Sequence, residues 1–156
     1  MTATEAVNWL QASALSHAIA KSNHLVIASL QIVHVLGITL LLSSLTLMSL
    51  RLWGLLLKEA STSDIVRAGR FLVWLGVTLA IGSGALMFLA SPRHYAYNSA
   101  FVLKMALLAL AIAGEAVLLH AAAVSGPPRV AVRLGAGVTL ALWLAVGIAG
   151  RAIGFL

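Results

Sequence analysis

Few residues in this chain can do chemistry, and most of those lie in apolar surroundings. His34 sits nine residues into a long uncharged stretch, with Gln31 one helical turn before it. At 1.5 Å per residue that places the imidazole about 14 Å below the start of the stretch. A histidine at such depth is either a neutral side chain bonded to a neighbouring helix or an axial ligand to haem iron, because helical bundles build cofactor sites from inward-facing side chains. His17, His24 and Gln31 recur every seven residues and would share one face of a continuous helix, unless Lys21-Ser22-Asn23 breaks it. His24 falls level with His94 and Tyr95 of a later loop. That pair could ligate haem or another metal, or be simply solvated.

Three charges interrupt the apolar segments. Lys104 and Glu115 are eleven residues apart, so they share a helix face roughly 16 Å apart along the axis and cannot pair with each other. Lys104 either snorkels to the interface or holds a carboxylate such as a haem propionate. Glu115 lies past mid-span, where snorkelling fails, and is the candidate for a protonated carboxyl or proton relay. Arg151 and Arg133 lie on one face at opposite ends of the last segment, as interfacial anchors or, for Arg151, as a second propionate partner. His120, five residues beyond Glu115, belongs to the opposite end from His34, as an interface residue or part of a separate site. Gly69, Gly76, Ser83 and Ala90 form a heptad of small residues, which admits a neighbouring backbone or a flat macrocycle.

The elements that must position these side chains follow from composition. Only 14 of 156 residues are charged and 62% are apolar, with a mean hydropathy of +1.05. A soluble domain carries about 25% charged residues. The balance excludes a soluble enzyme, a disordered chain and a nucleic-acid-binding module, and the net charge of +6 comes from dispersed cations without a basic run. With no cysteine, disulfides, thiolate metal sites, iron–sulfur clusters and thiol nucleophiles are excluded as well. Four stretches reach the roughly 20 apolar residues a spanning helix needs: 25–50, 71–92, 101–124 and 134–156. Ser125-Gly126-Pro127-Pro128 is a strong breaker between the last two. Short loops predict one all-α domain over 1–156, a four-helix transmembrane bundle of antiparallel neighbours. Residues 1–22 predict a short interfacial helix, starting near Thr4, with Trp9 at the headgroups.

Cations set the orientation. Arg51, Lys58, Arg67, Arg70, Arg129 and Arg133 gather on one side, against Lys21 and Arg93 in loops on the other. Both termini are therefore expected on the periplasmic side of a bacterial inner membrane. The lipid bilayer is the obligatory partner, and a homo-oligomer is open.

The stretch from His34-Val35-Leu36-Gly37 to Leu50-Arg51-Leu52-Trp53-Gly54, then Gly82-Ser83-Gly84 with Met87-Phe88, Phe101-Val102-Leu103-Lys104 and His120, resembles a small bacterial inner-membrane family of unknown function. That family is similar to the four-helix copper-resistance protein D and the HemJ-type protoporphyrinogen oxidase families. The likeness covers roughly residues 24–124. In HemJ-type proteins a first-helix histidine, an arginine near that helix's inner end and a lysine opening the third helix are functional, and haem b is bound. The resemblance thus implies haem at His34, with Arg51 and Lys104 at the matching positions. It does not imply protoporphyrinogen oxidation, because Leu40-Leu41-Leu42-Ser43-Ser44 replaces that family's aromatic residues. The expectation is a b-type haem protein moving electrons between the quinone pool and a periplasmic redox partner, with His24 or His94 as second axial ligand. The alternatives are copper or other metal-ion handling through His24, His94 and Met87, and a non-catalytic subunit or assembly factor.

Overall fold

The computed structural model describes residues 2–57, 59, 61–124 and 130–155. It contains seven helices within those residues: α1 (Ala3–Gln11), α2 (Ala14–Ala20), α3 (His24–Leu52), α4 (Thr62–Ala90), α5 (Pro92–Ala96), α6 (Ser99–Val124) and α7 (Val130–Ala152). Four of them, α3, α4, α6 and α7, are long and apolar enough to cross a membrane. The chain is an all-α membrane protein with a four-helix bundle.

The helices overrun the apolar stretches where polar caps allow it. Helix α4 starts at Thr62, nine residues before the apolar run, because the Ser61 hydroxyl accepts from the Asp64 N–H and Asp64 pairs with Arg67 at 2.9 Å one turn on. These turns are polar and extend the helix beyond the apolar run. Helix α3 starts where Asn23 accepts from the Leu25 N–H, so the chain does break between Lys21 and Asn23. His17, His24 and Gln31 therefore do not share a continuous helix. Lys58, Arg129 and the 125–128 breaker fall outside the described residues.

The single interfacial helix expected over 1–22 is two helices. Thr2, not Thr4, caps the first through a reciprocal pair with Glu5. The Ser13 hydroxyl accepts from the Ser16 N–H and starts the second. Both lie at the end of the bundle that carries the termini. Arg93 ties α1 down, its Nε donating to Asn8 Oδ1 at 3.0 Å and its backbone N–H to Gln11 Oε1 at 3.4 Å. Trp9 stays exposed, as an interfacial anchor should. The loop holding His94 is helical over α5, opened by Pro92 at its first turn.

The outside of the bundle is apolar like its core, where Leu41, Leu45, Leu52, Val73 and Leu119 cluster. Large apolar side chains such as Ile32, Val35, Phe71, Leu110, Val117 and Ile148 point outward, toward lipid. Small or polar residues face inward: Gly37, Ser44 and Ser49 on α3, Gly69, Gly76 and Ser83 on α4, Ala136 and Thr139 on α7. Lipid tails are as apolar as leucine, so only close packing gives helices a reason to associate. The closest approach is between α3 and α4. A Cβ on Gly76 would come within 2.8 Å of the Gly37 carbonyl oxygen and the Leu41 backbone nitrogen, and one on Gly37 within 2.8 Å of the Ala80 nitrogen. Met48 fills the space over Gly69. The small-residue heptad of α4 is thus the α3–α4 interface. Helices α6 and α7 pair next most tightly, α3 meets α7, and α4 and α6 meet more loosely than these. At the far end, Trp53 Nε1 donates to the Arg133 carbonyl at 2.9 Å and joins the exit of α3 to the entry of α7.

Candidate functional site

The tight α3–α4 crossing fixes the surroundings of His34. One heptad beyond Gly76, Ser83 presents its hydroxyl 3.0 Å from His34 Nδ1. Ser83 Oγ donates its one proton to the Leu79 carbonyl at 2.6 Å. With that proton directed to the carbonyl, the hydroxyl accepts from the imidazole when the ring carries its proton on Nδ1. That tautomer leaves the lone pair on Nε2, the arrangement that suits a metal ligand whose other ring nitrogen is held by an acceptor. Gly84 is the next residue, and a Cβ there would lie 3.2 Å from His34 Cε1. The absence of a side chain at 84 is what lets the ring take its place.

Lys104 comes to the same region from α6. Its Cε and Nζ lie beside Gly150 of α7, each 3.4 Å from where a Cβ would stand, and its ammonium is near enough to His34 to act on it electrostatically. No carboxylate pairs with it among the described residues. Gly147, one turn before Gly150, has open space where its side chain would be. The half of the bundle nearer the termini therefore combines an imidazole held through Nδ1, an ammonium without an acid partner among the described residues, and glycines at 84, 147 and 150.

These residues fit part of a b-type haem site: His34 Nε2 would hold the iron and Lys104 a propionate, while Gly84 and Gly150 make room for the His34 and Lys104 side chains and Gly147 alone leaves open space. They do not supply a second axial imidazole. His24 lies ten residues before His34 on the same helix, about 15 Å away along the axis, and is exposed. His94 is exposed on α5, edge-on to Tyr95 at 5.3 Å, and Tyr95 belongs to an aromatic cluster with Phe88 and Phe101. Arg151 is exposed too, its guanidinium over the Phe155 ring at 4.6 Å. Arg51 is half-buried in the last turn of α3, seventeen residues from His34 and so about 25 Å from it. Among the described residues no three His, Cys, Asp or Glu side chains gather closely enough to hold a metal ion.

Glu115 occupies a second, separate place. It is 1% exposed, and neither carboxyl oxygen has a hydrogen-bond partner among the described residues. Thr139 of α7 stands beside it, but that hydroxyl donates back to the Ala136 carbonyl at 3.3 Å. One turn along α7, Trp143 Nε1 is likewise buried without an acceptor among the described residues. Unpartnered buried polar groups cost roughly 1–3 kcal/mol each by mutational measures, and at membrane depth they are functional candidates by default.

Sequence reasoning passed over two features. Ser83 was visible only as one small residue among four, although a hydroxyl in a row of hydrogens and methyls was the available signal. Asn98, which accepts from the Phe101 N–H to start α6 and donates to the Ile153 carbonyl at the end of α7, gave no signal beyond its place before an apolar run. No known protein family, curated protein or solved structure matches the chain.

Proposed function

We propose that the chain is a b-type haem protein of a bacterial inner membrane, passing electrons from the quinone pool to a redox partner on the side of its termini. The observation that carries this reading is the His34–Ser83–Leu79 chain of hydrogen bonds, which suits Nε2 to act as a donor atom, with Lys104 nearby and no acid paired with it among the described residues. A bound haem would supply one-electron redox chemistry there. His34 would hold its iron, Ser83 would keep the imidazole from rotating, and Lys104 would hold a propionate. Glu115 lies deeper and would take up and release the proton that accompanies an electron. The cation distribution supports periplasmic termini, since Arg51, Arg67, Arg70 and Arg133 all lie at the opposite end. Copper handling through His24, His94 and Met87 gains nothing comparable, because both histidines are exposed.

The test is haem content after purification in mild detergent from cells supplied with haem. About one haem per chain is expected for the unaltered protein, for His24→Ala and for His94→Ala. His34→Ala should lose it, and Lys104→Ala should retain it less well through detergent washing. Equal haem in the unaltered protein and His34→Ala would defeat the proposal.

A further inference from the structure

The loose seam between α4 and α6 holds a cleft of about 120 Å³ at the end of the bundle away from the termini, lined by Arg70 and Trp74 from α4 and Ala116, Leu119, His120 and Ala123 from α6. Its depth can be read from both helices. Arg70 lies twenty residues before Ala90 and His120 twenty-one residues after Ser99, or about 30 Å and 32 Å along their axes. The hydrocarbon core is about 30 Å thick. If each helix enters that core near its terminus-side end, both side chains reach the opposite headgroup boundary, facing each other across the cleft. Trp74, one turn deeper, forms a wall against the acyl region. Ala116 and Ala123 keep the α6 side shallow enough for an acyl chain to lie in the seam.

The charges are unbalanced. Arg70 is exposed and has no acidic partner among the described residues, because the only ion pair described on α4 joins Asp64 to Arg67. His120 has no hydrogen-bonding partner among them and is also exposed. A guanidinium presents a fork of donors that matches phosphate oxygens, and an imidazole N–H adds another donor. Basic pockets between spanning helices recognise anionic lipid headgroups in this way.

We infer that this cleft binds an anionic phospholipid of the adjoining leaflet. Its phosphate lies between Arg70 and His120, and one acyl chain runs along Trp74 and Leu119. This site is independent of the haem proposal, because it lies in the other half of the bundle and uses none of the same residues.

Native mass spectrometry of protein extracted from nanodiscs of mixed phosphatidylglycerol and phosphatidylcholine tests it by counting the lipids retained per chain. The attraction of one interfacial cation for an anionic surface predicts about fivefold enrichment of phosphatidylglycerol over its bulk share. Arg70→Gln should bring the ratio down to the bulk value, Arg70→Lys should restore part of it, and Arg93→Gln at the opposite end should leave it unchanged. Circular dichroism confirms that each variant is folded. Three results would overturn the inference: retention at the bulk ratio in the unaltered protein, the same enrichment in Arg70→Gln, or displacement of the lipid by millimolar inorganic phosphate, which would make free phosphate the ligand.

Discussion

Replacing Gly76 by alanine adds one methyl group where α3 and α4 cross. That Cβ would stand 2.8 Å from the Gly37 carbonyl oxygen, 2.8 Å from the Leu41 nitrogen and 2.9 Å from Leu41 Cβ. Two of these are backbone atoms that no rotamer change can move. Ordinary contact begins near 3.4 Å, so the helices must separate by roughly 0.6 Å, an overpacking that costs about 1–3 kcal/mol. The displacement reaches the site as well. Added to the 3.0 Å between His34 Nδ1 and Ser83 Oγ, it gives roughly 3.6 Å, beyond hydrogen-bonding range. Gly82→Ala is the control, since a Cβ there meets nothing within 4 Å and alanine has the better helix propensity. Thermal or SDS unfolding in detergent should place Gly76→Ala well below the unaltered protein and Gly82→Ala at or above it, with haem retention falling only in the first. Equal stability of the two variants would refute the account of the crossing.

Three further outcomes follow from the described contacts. Glu115→Leu removes a buried carboxyl that has no hydrogen-bond partner among the described residues and should stabilise the bundle by roughly 1–3 kcal/mol, read from the same unfolding curves; a loss of stability would mean that Glu115 has a partner. Trp53→Phe deletes the bond to the Arg133 carbonyl and should cost about 0.5–1.5 kcal/mol, without changing haem content. Arg93→Ala removes the side-chain bond to Asn8 and leaves α1 held by the backbone N–H to Gln11 alone, so limited proteolysis near Ala12 should speed up while the melting temperature of the bundle stays put.

The four spans were legible because runs of some twenty apolar residues leave a chain no other stable place. Their ends were less so. Helix α4 extends to Thr62 on capping and ion pairing by Ser61, Asp64 and Arg67, which hydropathy does not register. The interfacial segment was legible in its amphipathic residues, but its division at Ser13 depends on a single cap. At the site, His34 and Lys104 could be named from their depth in apolar sequence, yet what holds His34 could not. Ser83 reaches it only because Gly37 and Gly76 let two backbones meet, and that register is a property of the packed pair. The same holds for Arg151. Its spacing from Arg133 places both on one face, but only the fold shows Phe155 beneath its guanidinium.

The central claim is that His34 Nε2 is a haem ligand held in place by Ser83, and the reduced-minus-oxidised absorption spectrum of the purified protein beside that of His34→Ala tests it most directly. The account predicts Soret and α bands of a b-type haem in the unaltered protein, and none in the variant at equal helix content. A colourless protein from haem-replete cells, or identical spectra from the two, would contradict it.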